Sequence, residues 1–310
     1  MRAVVFAYSN VGDRCLRVLV ARGLEVVLVA THTDHPGEVL WFQRVADTAA
    51  ELGLPTIYAD DPRSPALAEA VAQARPDVIF SFYYRAMLPA GLLALAPQGA
   101  YNLHGSLLPH FRGRAPTNWA VLKGATETGA TLHAMVAKPD AGAIVDQSAV
   151  PILPDDTAEQ VFDKVTVAAE LVLWRSLPAL MAGRVPALPN DLSAGSYYGG
   201  RKPEDGRIDW TRPAAEVYNL VRAVAPPYPG AFTDTAGRRL VVARARRPLP
   251  GRAVDTTGLA PGLHAVDGLI IGVCGDGQTV HVHQLLADGQ VLDAAGLQAL
   301  LHPSSAKPTT

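Results

Sequence analysis

Cysteine is nearly absent: Cys15 and Cys274 are the only two in 310 residues. Two isolated thiols make neither a disulfide framework nor a CxxC metal site, and both read as buried apolar residues. No metal is expected. No apolar run reaches the roughly 18 to 20 residues of a membrane span. The opening "MRAVVFAY" has a strand pattern and lacks a small-residue cleavage site, so a cytoplasmic protein is expected. Neither sign of charge dominates. Lys and Arg number 27 against 29 Asp and Glu, a net charge of -2, which supplies no electrostatic footprint for nucleic acid or an anionic membrane. The pattern GxGxxG does not follow the first apolar run. The stretch there is "YSNVGDRC", with Gly12 alone, and this disfavours a nicotinamide dinucleotide. There is also no internal repeat and no long low-complexity segment.

What remains is a globular composition, 49% apolar and 18% charged, over a length that suggests two domains at roughly 100 to 200 residues each. Apolar runs at "AVVFAY" (3–8), "LEVVLVA" (24–30), "PTIYA" (55–59), "DVIFSF" (77–82) and "GAYNL" (99–103) predict strands. Helical patterns lie between them at Val11 to Arg22, Val39 to Leu52, Ser64 to Ala74 and Pro89 to Ala94. Continuous apolar strands alternating with helices predict a doubly wound α/β domain, its sheet mostly parallel and covered on both faces. Ligands bind such sheets outside the carboxyl ends of the strands. The loops to watch are Ser9 to Gly12, Thr31 to Glu38, Ser81 to Leu88 and the segment after 99. Two more strands are expected at 129–136 and 143–152, then a long helix from Thr157 to Ala182, with "PDDTAEQ" at its start. A Pro-, Gly-, Ser- and Tyr-rich linker runs from Gly183 to Arg207. Beyond it, a helix at Pro213 to Val224 and short strands predict a smaller, mostly β domain. The expected division is 1–200, 201–303 and a tail at 304–310.

In "GAYNLHGSLLPHFRGRAP", a strand ending at His104 puts Asn102 and His104 on one face, with Tyr101 and Leu103 on the other. An imidazole shuttles protons near neutral pH, and a carboxamide N–H donates to a developing oxyanion. The pairing fits acyl-type transfer to an amine. Ser106 is not in a GxSxG elbow, so direct attack by a substrate amine is the economical scheme. Asp140 stands between Pro139 and Gly142 in a loop joining two strands, and a carboxylate beside His104 would raise its pKa. Each residue also has a plainer reading, Asn-x-His as a hydrogen-bonded structural pair and Asp140 as a turn residue bonding its own backbone.

"NLHGSLLPHFRGRAP", followed by "GATETGATLHAMV" and "DAGAIVDQ", resembles the formyltransferases that use N10-formyltetrahydrofolate. The stretches "THTDHPGE" and "FSFYYR", with "GRKPEDGRIDW" and "VRAVAPPYPGAF" further on, resemble the branch that formylates UDP-4-amino-4-deoxy-L-arabinose in lipid A modification and polymyxin resistance. The resemblance spans nearly the whole chain. It implies a Rossmann-like formyltransferase fold with an OB-like second domain, and 10-formyltetrahydrofolate as cosubstrate. It implies that Asn102 stabilises the transition state, that His104 is the acid/base and that Asp140 raises the His104 pKa. It places the folate against Ala86, Met87 and Leu88, against Arg114, and along Val136, Ala137, Lys138 and Pro139 to Asp140. A nucleotide-sugar amine must approach His104 and Asn102, which makes Tyr8, His32 and Tyr84 on neighbouring strand ends candidate contacts. That branch usually continues into an NAD-dependent decarboxylase domain, an activity not expected of residues 1–310.

Three rivals share part of this pattern. Methionyl-tRNA formyltransferases carry a basic loop after the second strand, whereas Thr31 to Phe42 contains no Lys or Arg, and residues 201–310 hold 12 Lys+Arg against 10 Asp+Glu. That is a poor surface for gripping tRNA. Glycinamide ribonucleotide formyltransferase is a smaller single domain. Another nucleotide-linked amino sugar would use the same central motif. A non-catalytic binding module is disfavoured by the presence of Asn102, His104 and Asp140 together.

Overall fold

A computed structural model describes residues 1–35, 37, 40–248 and 254–302. The chain divides into two compact units, one of residues 1–117, 127–151 and 162–200, the other of 118–126, 152–161 and 201–310. The short segments 118–126 and 152–161 thus belong with the second unit.

The first unit is built on a seven-stranded sheet. Its elements in chain order are β1 (Arg2–Ala7), α1 (Ser9–Ala21), β2 (Glu25–Thr31), α2 (Val45–Glu51), β3 (Thr56–Tyr58), α3 (Pro65–Ala74), β4 (Val78–Phe82), α4 (Ala90–Leu93) and β5 (Ala100–His104). A two-residue strand β6 (Arg112–Gly113) follows, then helix α5 (Pro116–Leu122), which falls in the second unit from residue 118 on, then β7 (Glu127–Ala134), β8 (Ile144–Pro151), α6 (Ala158–Met181), whose first four residues also fall in the second unit, and β9 (Tyr197–Tyr198). Strand order is β3-β2-β1-β4-β5-β7-β8. The first five strands are mutually parallel, while β7 runs antiparallel to both β5 and β8. Central strands β1 and β4 are buried at almost every residue, which is why they read as unbroken apolar runs. The chain winds outward from β1 to β3 and then crosses back to β4, so the order reverses between β1 and β4, where open α/β sheets place their ligands.

The predicted helix over Val39 to Leu52 is observed as Val45–Glu51; Val39 itself, Glu38 and the 304–310 tail lie outside the described residues. Helix α6 begins with a reciprocal cap, Thr157 N–H donating to Gln160 Oε1 at 2.9 Å and Gln160 N–H to Thr157 Oγ1 at 3.4 Å. The linker from 183 is not featureless: it contributes β9, which pairs with β6.

The second unit carries α7 (Ala214–Val224), which buries Val217, Tyr218 and Val221. Strands β10 (Ala231–Thr235), β11 (Arg238–Arg246), β12 (Gly262–Val266), β13 (Leu269–Val273), β14 (Thr279–Ala287) and β15 (Gln290–Leu292) form one antiparallel sheet. It ends on α8 (Ala294–Leu301), capped by Asp293, whose Oδ1 accepts the Gly296 N–H at 2.7 Å. Cys15 and Cys274 are buried. No helix among the described residues is long and apolar enough to cross a membrane, and no group of side chains among them is suited to a metal.

Candidate active site

All the residues discussed here belong to the first unit. Strand β5 alternates as its period requires: Tyr101 and Leu103 turn into the core at 7% and 1% exposure, and Asn102 and His104 take the other face. The antiparallel neighbour β7 sets His133 opposite Asn102 and Thr131 opposite His104. Asn102 Nδ2 donates to His133 Nε2 at 3.1 Å, and His133 Nδ1 donates to the Ala134 carbonyl at 2.9 Å. That tautomer orients the carboxamide, whose second N–H has no partner among the described residues.

His104 closes the strand, nearly buried at 6% exposure. Its Nε2 bonds the Phe111 carbonyl at 2.9 Å, and its Nδ1 lies 3.5 Å from Asp140 Oδ1. Asp140 comes from the loop between β7 and β8 with a left-handed backbone, φ +50°, uncommon outside glycine. Its Oδ2 accepts the Gly113 N–H at 2.8 Å, and its Oδ1 is 3.6 Å from His133 Nε2. The loop turns so tightly that a Cβ on Gly142 would stand 1.8 Å from the Ala134 carbonyl oxygen. One loop carbonyl and one loop amide therefore hold the histidine and the aspartate in the same corner.

The electrostatics of this corner follow from burial. Desolvation is the largest influence on His104 and carries its pKa below the usual 6.5; Asp140 and the Phe111 bond pull the other way, and His133 adds to the lowering. The expected direction of the Asp140 influence is present, but burial outweighs it, so His104 is neutral near pH 7 and able to take a proton. Burial also pushes Asp140 up, yet His104, His133 and the Gly113 N–H outweigh it and hold the carboxyl at about 2. Ser106 is buried and donates to the His110 carbonyl at 2.6 Å.

The candidates for folate contact differ in their surroundings. Leu88 is buried among Tyr84, Leu92, Ala96 and Ala100, with Ala86 and Met135 packed on that cluster. Met87 is 51% and Val136 45% exposed. Among the described residues no backbone hydrogen bond is seen to engage Ala86, Met87 or Leu88. Ala137 and Lys138 are exposed, Pro139 is half-buried, and Arg114 is exposed while its backbone N–H bonds the Tyr198 carbonyl at 3.0 Å.

Tyr8, His32 and Tyr84 are brought together at the ends of β1, β2 and β4. His32 stacks on Tyr84 with ring centroids 4.1 Å apart, and Tyr8 meets His32 edge-on at 5.5 Å. Their polar atoms bond other protein groups. Tyr84 donates to the Ala59 carbonyl, Tyr8 to Asp34 Oδ1, and His32 lies between Asp60 and the Arg85 N–H. The Arg85 guanidinium sits 4.2 Å over the Tyr8 ring.

His133 is the site residue that sequence reading missed. It stands in a predicted strand, but only the β5–β7 register reveals that it faces Asn102.

Residues 1–177 match the formyl transferase family and residues 201–298 match the formyl transferase C-terminal domain. Among solved structures, the fold is similar to an N-formyltransferase from Helicobacter canadensis in complex with folinic acid and dTDP-3-aminofucose. That match has a TM-score of 0.68 and 15% identity, and covers 90% of this chain and 98% of that one. WlaRD, a sugar 3N-formyltransferase, matches with a TM-score of 0.70 and 15% identity over 94% of this chain and 98% of its own. A sugar N-formyltransferase from Shewanella sp. FDAARGOS_354 gives 0.63 and 18% over 82% and 99%. At such identities the likeness is one of fold, whereas the family matches span most of the sequence, and on them the chain belongs to the formyl transferase family.

Proposed function

We propose that the protein transfers a formyl group from 10-formyltetrahydrofolate to the amine of a nucleotide-linked amino sugar, with UDP-4-amino-4-deoxy-L-arabinose as the preferred acceptor. The observation that carries this is the convergence of Asn102, His104 and Asp140 at the end of one strand in a formyl transferase fold. The folate supplies the formyl carbon. The acceptor amine attacks that carbon, and His104, neutral and buried, accepts the proton the amine sheds while Asp140 stabilises the imidazolium so formed; the formyl C–N10 bond then breaks, and the proton passes from His104 to N10 as tetrahydrofolate leaves. Asn102 offers its remaining N–H to the carbonyl oxygen as that oxygen gains negative charge. In this reading the peptide groups of Ala86, Met87 and Leu88 meet the pterin edge, with Met87 and Val136 against its rings, Arg114 near its acidic end, and Ala137, Lys138 and Pro139 completing the rim.

The choice of a nucleotide sugar is supported by the company of the fold: the Helicobacter canadensis relative is described with a dTDP-amino sugar. The aminoarabinose preference rests on the "THTDHPGE" and "FSFYYR" stretches. The chemistry is assigned to residues 1–200, with Tyr8, His32 and Tyr84 as the apolar wall of the acceptor site, and a cytoplasmic location goes with this reading. The test is a panel of purified protein, 10-formyltetrahydrofolate and single acceptors: UDP-4-amino-4-deoxy-L-arabinose, other nucleotide amino sugars and methionyl-tRNA. Formylation of the first is expected. Activity on methionyl-tRNA alone, or on no amine, would overturn the proposal.

A further inference from the structure

The strand and loops that carry His104 and Asp140 are braced from outside by the segment 188–198, which sequence reading treats as linker. It reaches the site in two places. Leu188 exchanges both backbone hydrogen bonds with Ile144, at 2.9 and 2.8 Å, pinning the segment beside the start of β8. Two residues on, the Asn190 carboxamide donates from Nδ2 to the Asp140 carbonyl at 3.0 Å and to the Gly142 carbonyl at 2.9 Å. These carbonyls flank the turn in which Asp140 takes its left-handed backbone. Further along, Ser196 Oγ accepts the Phe111 N–H at 2.9 Å and the Ser196 carbonyl accepts the Arg112 N–H at 3.0 Å, fixing the peptide whose carbonyl holds His104 Nε2.

We propose that Asn190 is a positioning residue for the His104–Asp140 pair, its two-pronged donation holding the 140–142 turn so that the Asp140 carboxylate faces His104 Nδ1. The inference rests on the formyl-transfer reading for its catalytic consequence, but not for its geometry. A carboxamide is the side chain that suits this place, because one planar NH2 group supplies two donors diverging toward two carbonyls. Its Oδ1 is buried and finds no partner among the described residues. Turning the group over would aim that oxygen at the same two carbonyls, so a single orientation is enforced. The ionisable groups facing His104 are Asp140 and His133. His133 is held by β7 itself, and so loosening the turn frees Asp140 alone.

The experiment is an NMR titration of the His104 ring in the full chain, which needs no substrate, alongside steady-state kinetics. Asn190→Ala is expected to lower the His104 pKa in the direction Asp140→Asn lowers it. In the Asp140→Asn background the same Asn190 change is expected to do nothing further. With turnover, kcat should fall about tenfold while KM for the amine holds, as befits a group acting through the base rather than on substrate. Asn190→Ser, with one donor instead of two, should fall between, and it carries the test if the alanine variant does not fold. An unchanged His104 titration in the folded variants overturns the proposal, as does an equal shift in the Asp140→Asn background. If the protein formylates no amine, the titration still decides the positioning role by itself.

Discussion

Replacing Asp140 with Asn removes a charge while keeping an oxygen to accept the Gly113 N–H, so it isolates the electrostatic part of the residue. At the 3.5 Å separation from His104 Nδ1, and at an effective dielectric constant of about 20, the attraction to an imidazolium is about 5 kcal/mol before further screening. Measured opposite charges at this range move a pKa by about 1 to 3 pH units. Burial already carries His104 below 6.5, with Asp140 opposing it. Loss of the carboxylate must therefore move His104 further down. In a profile of kcat/KM against pH, the acid limb set by His104 should shift to lower pH by about 1 to 3 units. The plateau should drop about tenfold for each 2 units of lost basicity, at a Brønsted slope of about 0.5. The limb is read from initial rates between acid and neutral pH, with the His104 ring titrated independently by NMR. An acid limb that stays put or moves to higher pH would refute the electrostatic account of Asp140.

The same residue links stability to pH. Its folded pKa of about 2 lies below the usual carboxylate value of 3.8. While the neighbouring histidines are protonated, the ionised form therefore contributes about 2 kcal/mol near pH 4, lost as pH falls through 2; the stability gap between wild type and Asp140→Asn should shrink over that window in urea titrations, and a constant gap would count against it. Asn102→Ala should cut kcat by about a hundredfold to a thousandfold with little change in amine KM, and a loss under fivefold would remove Asn102 from the oxyanion role. Gly142→Ala forces a methyl to 1.8 Å from the Ala134 carbonyl oxygen, so thermal unfolding should show a loss of about 1 to 3 kcal/mol; an unchanged melting temperature would mean the turn yields freely.

What was legible in the sequence divides along physical lines. Strands β1 and β4 are buried on both faces, and a strand so buried must be apolar at nearly every position, so the doubly wound sheet could be read directly. The period of 2 was enough to put Asn102 and His104 on one face, and Pro139 with Gly142 marked the Asp140 turn. His133 escaped because facing Asn102 is a property of antiparallel register, which no local pattern encodes. Strands β6 and β9 are two residues each, too short for any periodicity, and Asn190 acts from a segment whose composition reads as linker. Helix α5 did carry a signal, Pro116 in its first turn, obscured by Arg112, Gly113 and Arg114 just before it. The net direction of the His104 pKa was out of reach for another reason. Charge partners can be guessed from sequence, whereas 6% exposure is a property of the finished packing.

The most direct measurement follows formyl transfer and folate release together, comparing wild type with His104→Ala on 10-formyltetrahydrofolate and UDP-4-amino-4-deoxy-L-arabinose. The account predicts that wild type yields tetrahydrofolate and N-formylated sugar in equal amounts, and that the variant keeps its fold and its folate affinity but forms neither product at a comparable rate. Near-normal turnover by His104→Ala, or tetrahydrofolate released without a formylated amine, would contradict it.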